Sequence, residues 1–153
     1  MCWMCDHPGS TIEDYLDVLR GKMLRRGWTV QYVERVRVPF AYTVGLTNHT
    51  LPELLVTGIS PHRAVELLDT VAQLSVDDGA PTPGDQITLP TGRLVEVVEV
   101  ECPDAHLYSA IGLFGPGVRA LQLVWADWRG RWPWSPDFND GGAIQSVLGV
   151  RAA

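Results

Sequence analysis

The strongest constraint on the fold is an abrupt change of hydrophobic period at Gly27. Before it, Ile12, Tyr15, Leu16, Leu19 and Met23 recur at i, i+3, i+4, i+7 and i+11, which draws one apolar stripe along an α-helix. From Trp28 onward the period drops to two: Trp28, Val30 and Tyr32 fall on one side of an extended strand, and Pro39 closes the run. Such a chain has to lay a helix against a sheet, because neither apolar face is covered by its own element. Ser10-Thr11-Ile12-Glu13 has capping-box spacing with Ser10 at the cap, and Gly27 is placed to stop the helix, so the pattern predicts a helix over 11–26.

Two further apolar runs, Phe40 to Leu46 and Glu53 to Thr57, are separated by polar Thr47-Asn48-His49-Thr50 and read with the first as three neighbouring antiparallel strands. Ser60 followed by Pro61 opens a second helix over about 61–76, striped by Ala64, Leu67, Leu68, Val71 and Leu74. Pro81, Pro83 and Gly84 mark a loop, after which 86–89 and 93–101 read as a hairpin joined by Pro90-Thr91-Gly92. Asp104 can cap a short helix carrying Leu107, Ala110, Ile111 and Phe114, residues 120–125 alternate again, and a last short strand is expected near 145–148. Strand runs broken by two good helices, without regular βαβ alternation, predict an α+β fold: a mostly antiparallel sheet with two main helices packed on it and one short helix. Leu16, Leu19, Leu67 and Leu68 are the expected helix contributions to the core.

At 153 residues the chain suits a single domain over 1–153, with a cysteine-bearing segment at 1–9 and a Trp-rich hairpin or loop at 125–142. A domain of this size buries enough surface to fold without a metal or disulfide staple. The net charge of −6 argues against nucleic acid or an anionic membrane as the main partner. No stretch approaches the ~18 apolar residues of a membrane span, and no basic-then-apolar leader opens the chain. Three cysteines, an odd number, fit a reducing compartment, so a cytoplasmic protein is expected.

Four pieces taken in order carry a resemblance: Cys2-Trp3-Met4-Cys5, Pro39-Phe40-Ala41-Tyr42-Thr43-Val44-Gly45-Leu46, Pro52-Glu53-Leu54-Leu55-Val56-Thr57-Gly58, and Leu121-Gln122-Leu123-Val124-Trp125-Ala126-Asp127. Together they resemble domain of unknown function 4262, a family seen largely in actinobacteria and their phages. The resemblance runs from the first cysteine to the final Leu-Gly and implies no established activity or catalytic residues. Where many relatives look to have Gly-His-Pro-Glu-Leu, this chain has His49-Thr50-Leu51-Pro52-Glu53-Leu54, which moves the histidine by two places.

Two clusters bear chemistry. Cys2, Cys5 and His7 form a Cys-x-x-Cys-x-His motif whose spacing lets one turn present two thiolates to a tetrahedral ion; zinc is the natural candidate cofactor, although no second ligand pair accompanies it. A zinc-dependent hydrolase would use these ligands with Asp6 or Asp127 as base. The same cysteines also suit plain packing, a disulfide on oxidation, or thiol chemistry. The second cluster is Trp125, Trp128, Trp132 and Trp134 with Asp127, Arg129 and Arg131 among them. Aromatic faces give large contact area at low entropic cost and guanidinium groups give directional polar contacts, although such rings also serve simply to cap a core. A hairpin cannot bury all four rings on one side; Trp128 in the Asp127-Trp128-Arg129-Gly130 turn is expected to be exposed and Trp125 buried. Gly45 and Gly58, each closing an apolar run, suit a bulge or close backbone packing.

No phosphate loop, nucleophile elbow or paired-His protease motif is present. The leading expectation is therefore a small binding or regulatory module rather than an enzyme, recognising a protein partner or a nucleotide-like small molecule through Trp128, Arg131, Trp132 and Asp127. A zinc hydrolase and a structural homo-oligomer are the other two readings.

Overall fold

The computed structural model describes residues 3–34, 36–142 and 144–152. Its helices are α1 (Trp3–Asp6), α2 (Ile12–Arg26), α3 (Pro61–Asp78) and α4 (Tyr108–Phe114); its strands are β1 (Thr29–Val33), β2 (Phe40–Val44), β3 (Glu53–Thr57), β4 (Gln86–Thr88), β5 (Leu94–Glu99) and β6 (Ala120–Trp125). One sheet contains all six strands in the order β1-β2-β3-β6-β5-β4. The β1–β2, β2–β3, β4–β5 and β5–β6 pairs are antiparallel, whereas β3 and β6 at the centre run parallel, with Leu54 beside Leu121. The fold is α+β, but the sheet is mixed, which corrects the mostly antiparallel sheet expected. The cause is a crossover. After β3 the chain leaves through α3, builds β4 and β5 on the far side, and returns through α4, so β6 enters beside β3 in the same direction. An apolar run reads the same in either direction, so no strand sequence carries this information.

Burial explains why those two strands lie in the middle. Every residue of β3 and of β6 is buried, including its polar members, so both faces must be covered. On one face α3 sets Ala64, Leu67, Leu68 and Val71 against Leu54, Val56, Leu121 and Leu123. On the other, Met23 of α2 and Ala110 of α4 meet Tyr42, Val44, Leu55 and Ala120. Strand alternation sends Leu54 and Leu55 to opposite layers, and each leucine so buried contributes about 1.5–3 kcal/mol. Among the described residues no helix is long and apolar enough to cross a membrane.

Three local features depart from the sequence reading. The cap of α2 is Thr11, whose hydroxyl accepts from the Asp14 N–H at 3.1 Å while the Asp14 carboxylate accepts from the Thr11 N–H at 2.9 Å. Ser10 lies one residue further out, its N–H donating to the His7 carbonyl, and the helix begins at Ile12. Helix α3 runs to Asp78, two residues past the expected end. Residues 145–148 form no strand. They are held by one backbone bond, from the Glu101 N–H to the Leu148 carbonyl, and by side chains: Gln122 receives the Leu148 N–H at 2.7 Å and donates to the Ser146 carbonyl at 2.6 Å, and Gln145 brackets the Trp125 backbone. Strand β6 already has β3 and β5 on its two edges, so no ladder position was left for this segment.

The turn after β2 is set by a buried acid. Glu53 accepts from the Thr43 and Thr47 hydroxyls and from the N–H groups of Gly45, Leu46 and Thr47. Burial raises its pKa and these donors oppose the rise. Gly45 has φ of 133°, and a Cβ there would collide with the Gly27 carbonyl, so this position accepts only glycine.

Candidate functional site

The carboxyl ends of β3 and β6 emerge side by side, and the chain diverges from them: β3 continues into Gly58, Ile59, Ser60 and α3, and β6 into Ala126, Asp127 and Trp128. Loops that part at the ends of adjacent parallel strands leave a crevice between them. Here a cleft of about 540 Å³ lies between α3, the β4–β5 turn and the 126–130 segment. A second hollow of about 420 Å³ reaches Gly58, Ser60 and Asn139 and shares Arg63, Arg93, Asp127 and Trp128 with the first.

Helix α3 offers one face to the cleft, Arg63, Glu66, Leu67 and Thr70, at i, i+3, i+4 and i+7. Leu67 anchors this face in the core, leaving Arg63 and Glu66 exposed above it. Arg93 arrives from the opposite wall. The 89–93 turn is closed by Gly92 N–H to the Leu89 carbonyl and Leu89 N–H to the Arg93 carbonyl, which fixes where that side chain leaves the backbone. Its guanidinium lies 5.4 Å from the centre of the Trp125 ring. Burial lowers the pKa of Arg93, the like charge of Arg63 lowers it further, and Glu66 opposes both. Among the described residues neither Arg63 nor Arg93 forms an ion pair, whereas Arg119, Arg131 and Arg151 each hold a carboxylate at 2.6–2.8 Å. Ser60, at the cap of α3, makes no side-chain cap hydrogen bond and Pro61 carries no N–H.

The third wall is built by Asp127. Its carboxylate accepts from the backbone N–H groups of Arg129, Arg131 and Asn139 and from Arg131 Nε, at 2.7–2.9 Å. Burial by itself would raise its pKa; the four donors outweigh that and hold it down to about 2. Arg131 extends the network to Asp137 and Asp140, and its pKa is raised accordingly, chiefly by Asp140. Because the Asp127 side chain takes the N–H groups that a β-ladder would have used, 126–142 folds as successive turns. Of the hairpin or loop expected for this stretch, the structure has the loop.

Trp128 stands out from the turn 75% exposed with Arg129 stacked at 4.5 Å, while Trp125 is 5% exposed, donates from Nε1 to the Thr57 carbonyl and packs on Phe138. Trp132 stacks on Trp134, and Arg151 caps the pair 3.8 Å from the centre of the Trp134 ring. Of the four residues expected at a site, Asp127 and Trp128 border the cleft. Arg131, half-buried among three carboxylates, and Trp132, in its stack, do not. The residues the sequence reading missed are Arg63 and Arg93. The α3 spacing, read for charge as well as for apolar residues, signals Arg63; Arg93 reaches the site only through the sheet order.

Residues 22–139 match the family described as Domain of unknown function (DUF4262). The chain belongs to this family. No curated protein matches the chain, and no solved structure matches it. The DUF4262 segment takes in all six strands and every residue named around the cleft. Cys5 and His7 precede it, on and just after α1, and both are exposed. Cys2, the third member of the expected zinc cluster, lies outside the described residues, as do Met1, Arg35, Ala143 and Ala153. Among the described residues no three His, Cys, Asp or Glu side chains gather as a metal ion would require. Asp127 makes a poor general base at neutral pH, because its carboxylate is fully engaged and holds a proton only near pH 2.

Proposed function

We propose that this DUF4262 chain is a cytoplasmic binding module that takes a nucleotide-like small molecule into the cleft between α3, the 89–93 turn and Trp128. One observation carries the reading: two guanidinium groups that form no ion pair among the described residues line a single cleft whose mouth bears an exposed tryptophan. Holding like charges close together in a partly buried site costs free energy that an anionic ligand recovers. An exposed indole gains by covering its ring, and a flat heterocycle does this at little entropic cost. Concavity favours a small molecule over a protein partner, since clefts of 300–1,000 Å³ are the usual size for such ligands.

The test is a thermal-shift screen of the full chain against small organic anions, nucleotides and neutral heterocycles, repeated on Trp128→Ala. A ligand present at about a hundred times its Kd stabilises a fold by about 2.7 kcal/mol, which moves Tm by several degrees. Trp128→Ala should keep the native Tm and weaken the ligand by at least about 1 kcal/mol, roughly fivefold. A screen in which no compound shifts Tm, or a substitution that leaves every affinity unchanged, refutes the reading.

A further inference from the structure

The two halves of the cleft differ in chemistry. The smaller half is bounded by Gly58, Ser60 and the start of α3, the larger by Glu66, Thr70 and the 89–92 turn, and Arg63, Arg93, Trp128 and Asp127, whose carboxylate is taken up by its own four donors, stand where they meet. We infer that the ligand is a ribonucleoside monophosphate, its phosphate held between Arg63 and Arg93 toward the smaller half and its ribose hydroxyls on Glu66 in the larger. This rests on the cleft being a small-molecule site.

Donor geometry sets the anionic group. Arg63 and Arg93, which form no ion pair among the described residues, set two guanidiniums against the one carboxylate of Glu66, so the local charge stays positive. A phosphomonoester carries about −1.5 to −2 at pH 7 and offers three acceptor oxygens to two forked donors, where a carboxylate offers two. The amino-terminal turn of an 18-residue helix borders that half and adds a favourable field for the same charge. Glu66 sets the orientation and the sugar. It lies one helical turn beyond Arg63, is exposed, and forms no ion pair among the described residues. A carboxylate in an anion-binding cleft repels phosphate, so the phosphate stays at the arginine end. The group that meets Glu66 must then be a hydrogen-bond donor, and in a molecule that also carries the phosphate a ribose diol supplies two. The base is left beside Trp128. Arg129 covers one face of that indole, and the opposite face is available for stacking.

The full chain is titrated calorimetrically with the four ribonucleoside 5′-monophosphates, the parent nucleosides, the 2′-deoxy monophosphates and inorganic phosphate alone. At least one ribonucleoside monophosphate should bind about tenfold or more tightly than its nucleoside. Arg93→Ala and, on the exposed face of α3, Arg63→Ala should each abolish that preference with the fold retained by circular dichroism. Glu66→Gln should shrink the ribo-over-deoxy preference to within about twofold while keeping the phosphate preference. The inference is overturned if nucleoside and monophosphate bind alike, if inorganic phosphate binds as tightly as any nucleotide, if both arginine variants retain the preference, if Glu66→Gln leaves the ribose preference intact, or if none of the four binds at millimolar concentration. A compound of another class that binds and is weakened by Trp128→Ala leaves the cleft reading standing while this inference falls; the absence of any ligand removes both.

Discussion

Replacing Gln122 by methionine would break the tie between the central strand β6 and the carboxy-terminal segment without changing the volume of the core much. Gln122 is 0% exposed. Its Oε1 is the partner of the Leu148 N–H at 2.7 Å and its Nε2 donates to the Ser146 carbonyl at 2.6 Å. The two losses are unequal. The Ser146 carbonyl keeps a second donor, the Thr57 hydroxyl at 2.7 Å, so removing Nε2 costs only a net hydrogen bond, about 0.5–1.5 kcal/mol. Among the described residues the Leu148 N–H has no second acceptor, so its loss costs the desolvation of a stranded donor, about 1–3 kcal/mol. The sum, about 1.5–4.5 kcal/mol, should appear in urea unfolding as a lower midpoint at unchanged slope. Hydrogen exchange gives the local readout, since the Leu148 amide should lose protection before the β5 and β6 amides do. Adding Thr57→Val should cost more in the Gln122→Met background than in the parent, because only then is the Ser146 carbonyl orphaned. A loss below about 0.5 kcal/mol with Leu148 still protected would show that the tail is held by packing and refute the hydrogen-bond reasoning.

Leu67→Ala and Leu121→Ala, which empty the layer between α3 and the sheet, should each cost about 2–5 kcal/mol in urea unfolding; near-neutral values for both would mean that this layer is misassigned. Asp127 supplies a pH dependence. Its folded pKa of about 2 lies below the unfolded value near 3.9, so its contribution is complete above about pH 4 and is lost as pH falls toward 2. The Tm gap between the parent and Asp127→Asn should therefore narrow over that window, and a gap that stays constant down to pH 2 would show that the carboxylate is not charged in the fold.

The sequence by itself determined the elements. The stripe from Ile12 to Met23, Gly27 at the end of α2, Pro61 at the start of α3 and the alternation around Trp28 are local signals, and each gives its element within a residue or two because helix and strand periods follow from backbone geometry alone. The burial of Trp125 and exposure of Trp128 were legible for the same reason, one ending an alternating strand and the other occupying a turn. What tertiary structure decided was everything that depends on which strand lies beside which. The parallel β3–β6 pairing comes from a crossover more than sixty residues long, and a strand's apolar pattern is blind to the direction of its neighbour. Between a hairpin and a loop for 126–142 the local sequence did not choose; the loop forms because one buried carboxylate, Asp127, satisfies three backbone donors at once. Arg131 looked like a contact residue beside the tryptophans and became the counterion of that carboxylate. Arg63 and Arg93, thirty positions apart and unremarkable in sequence, face one cleft because α3, which follows β3, and the turn between β4 and β5 lie on opposite sides of β6, a placement set by long-range packing, on which the local pattern around either arginine is silent.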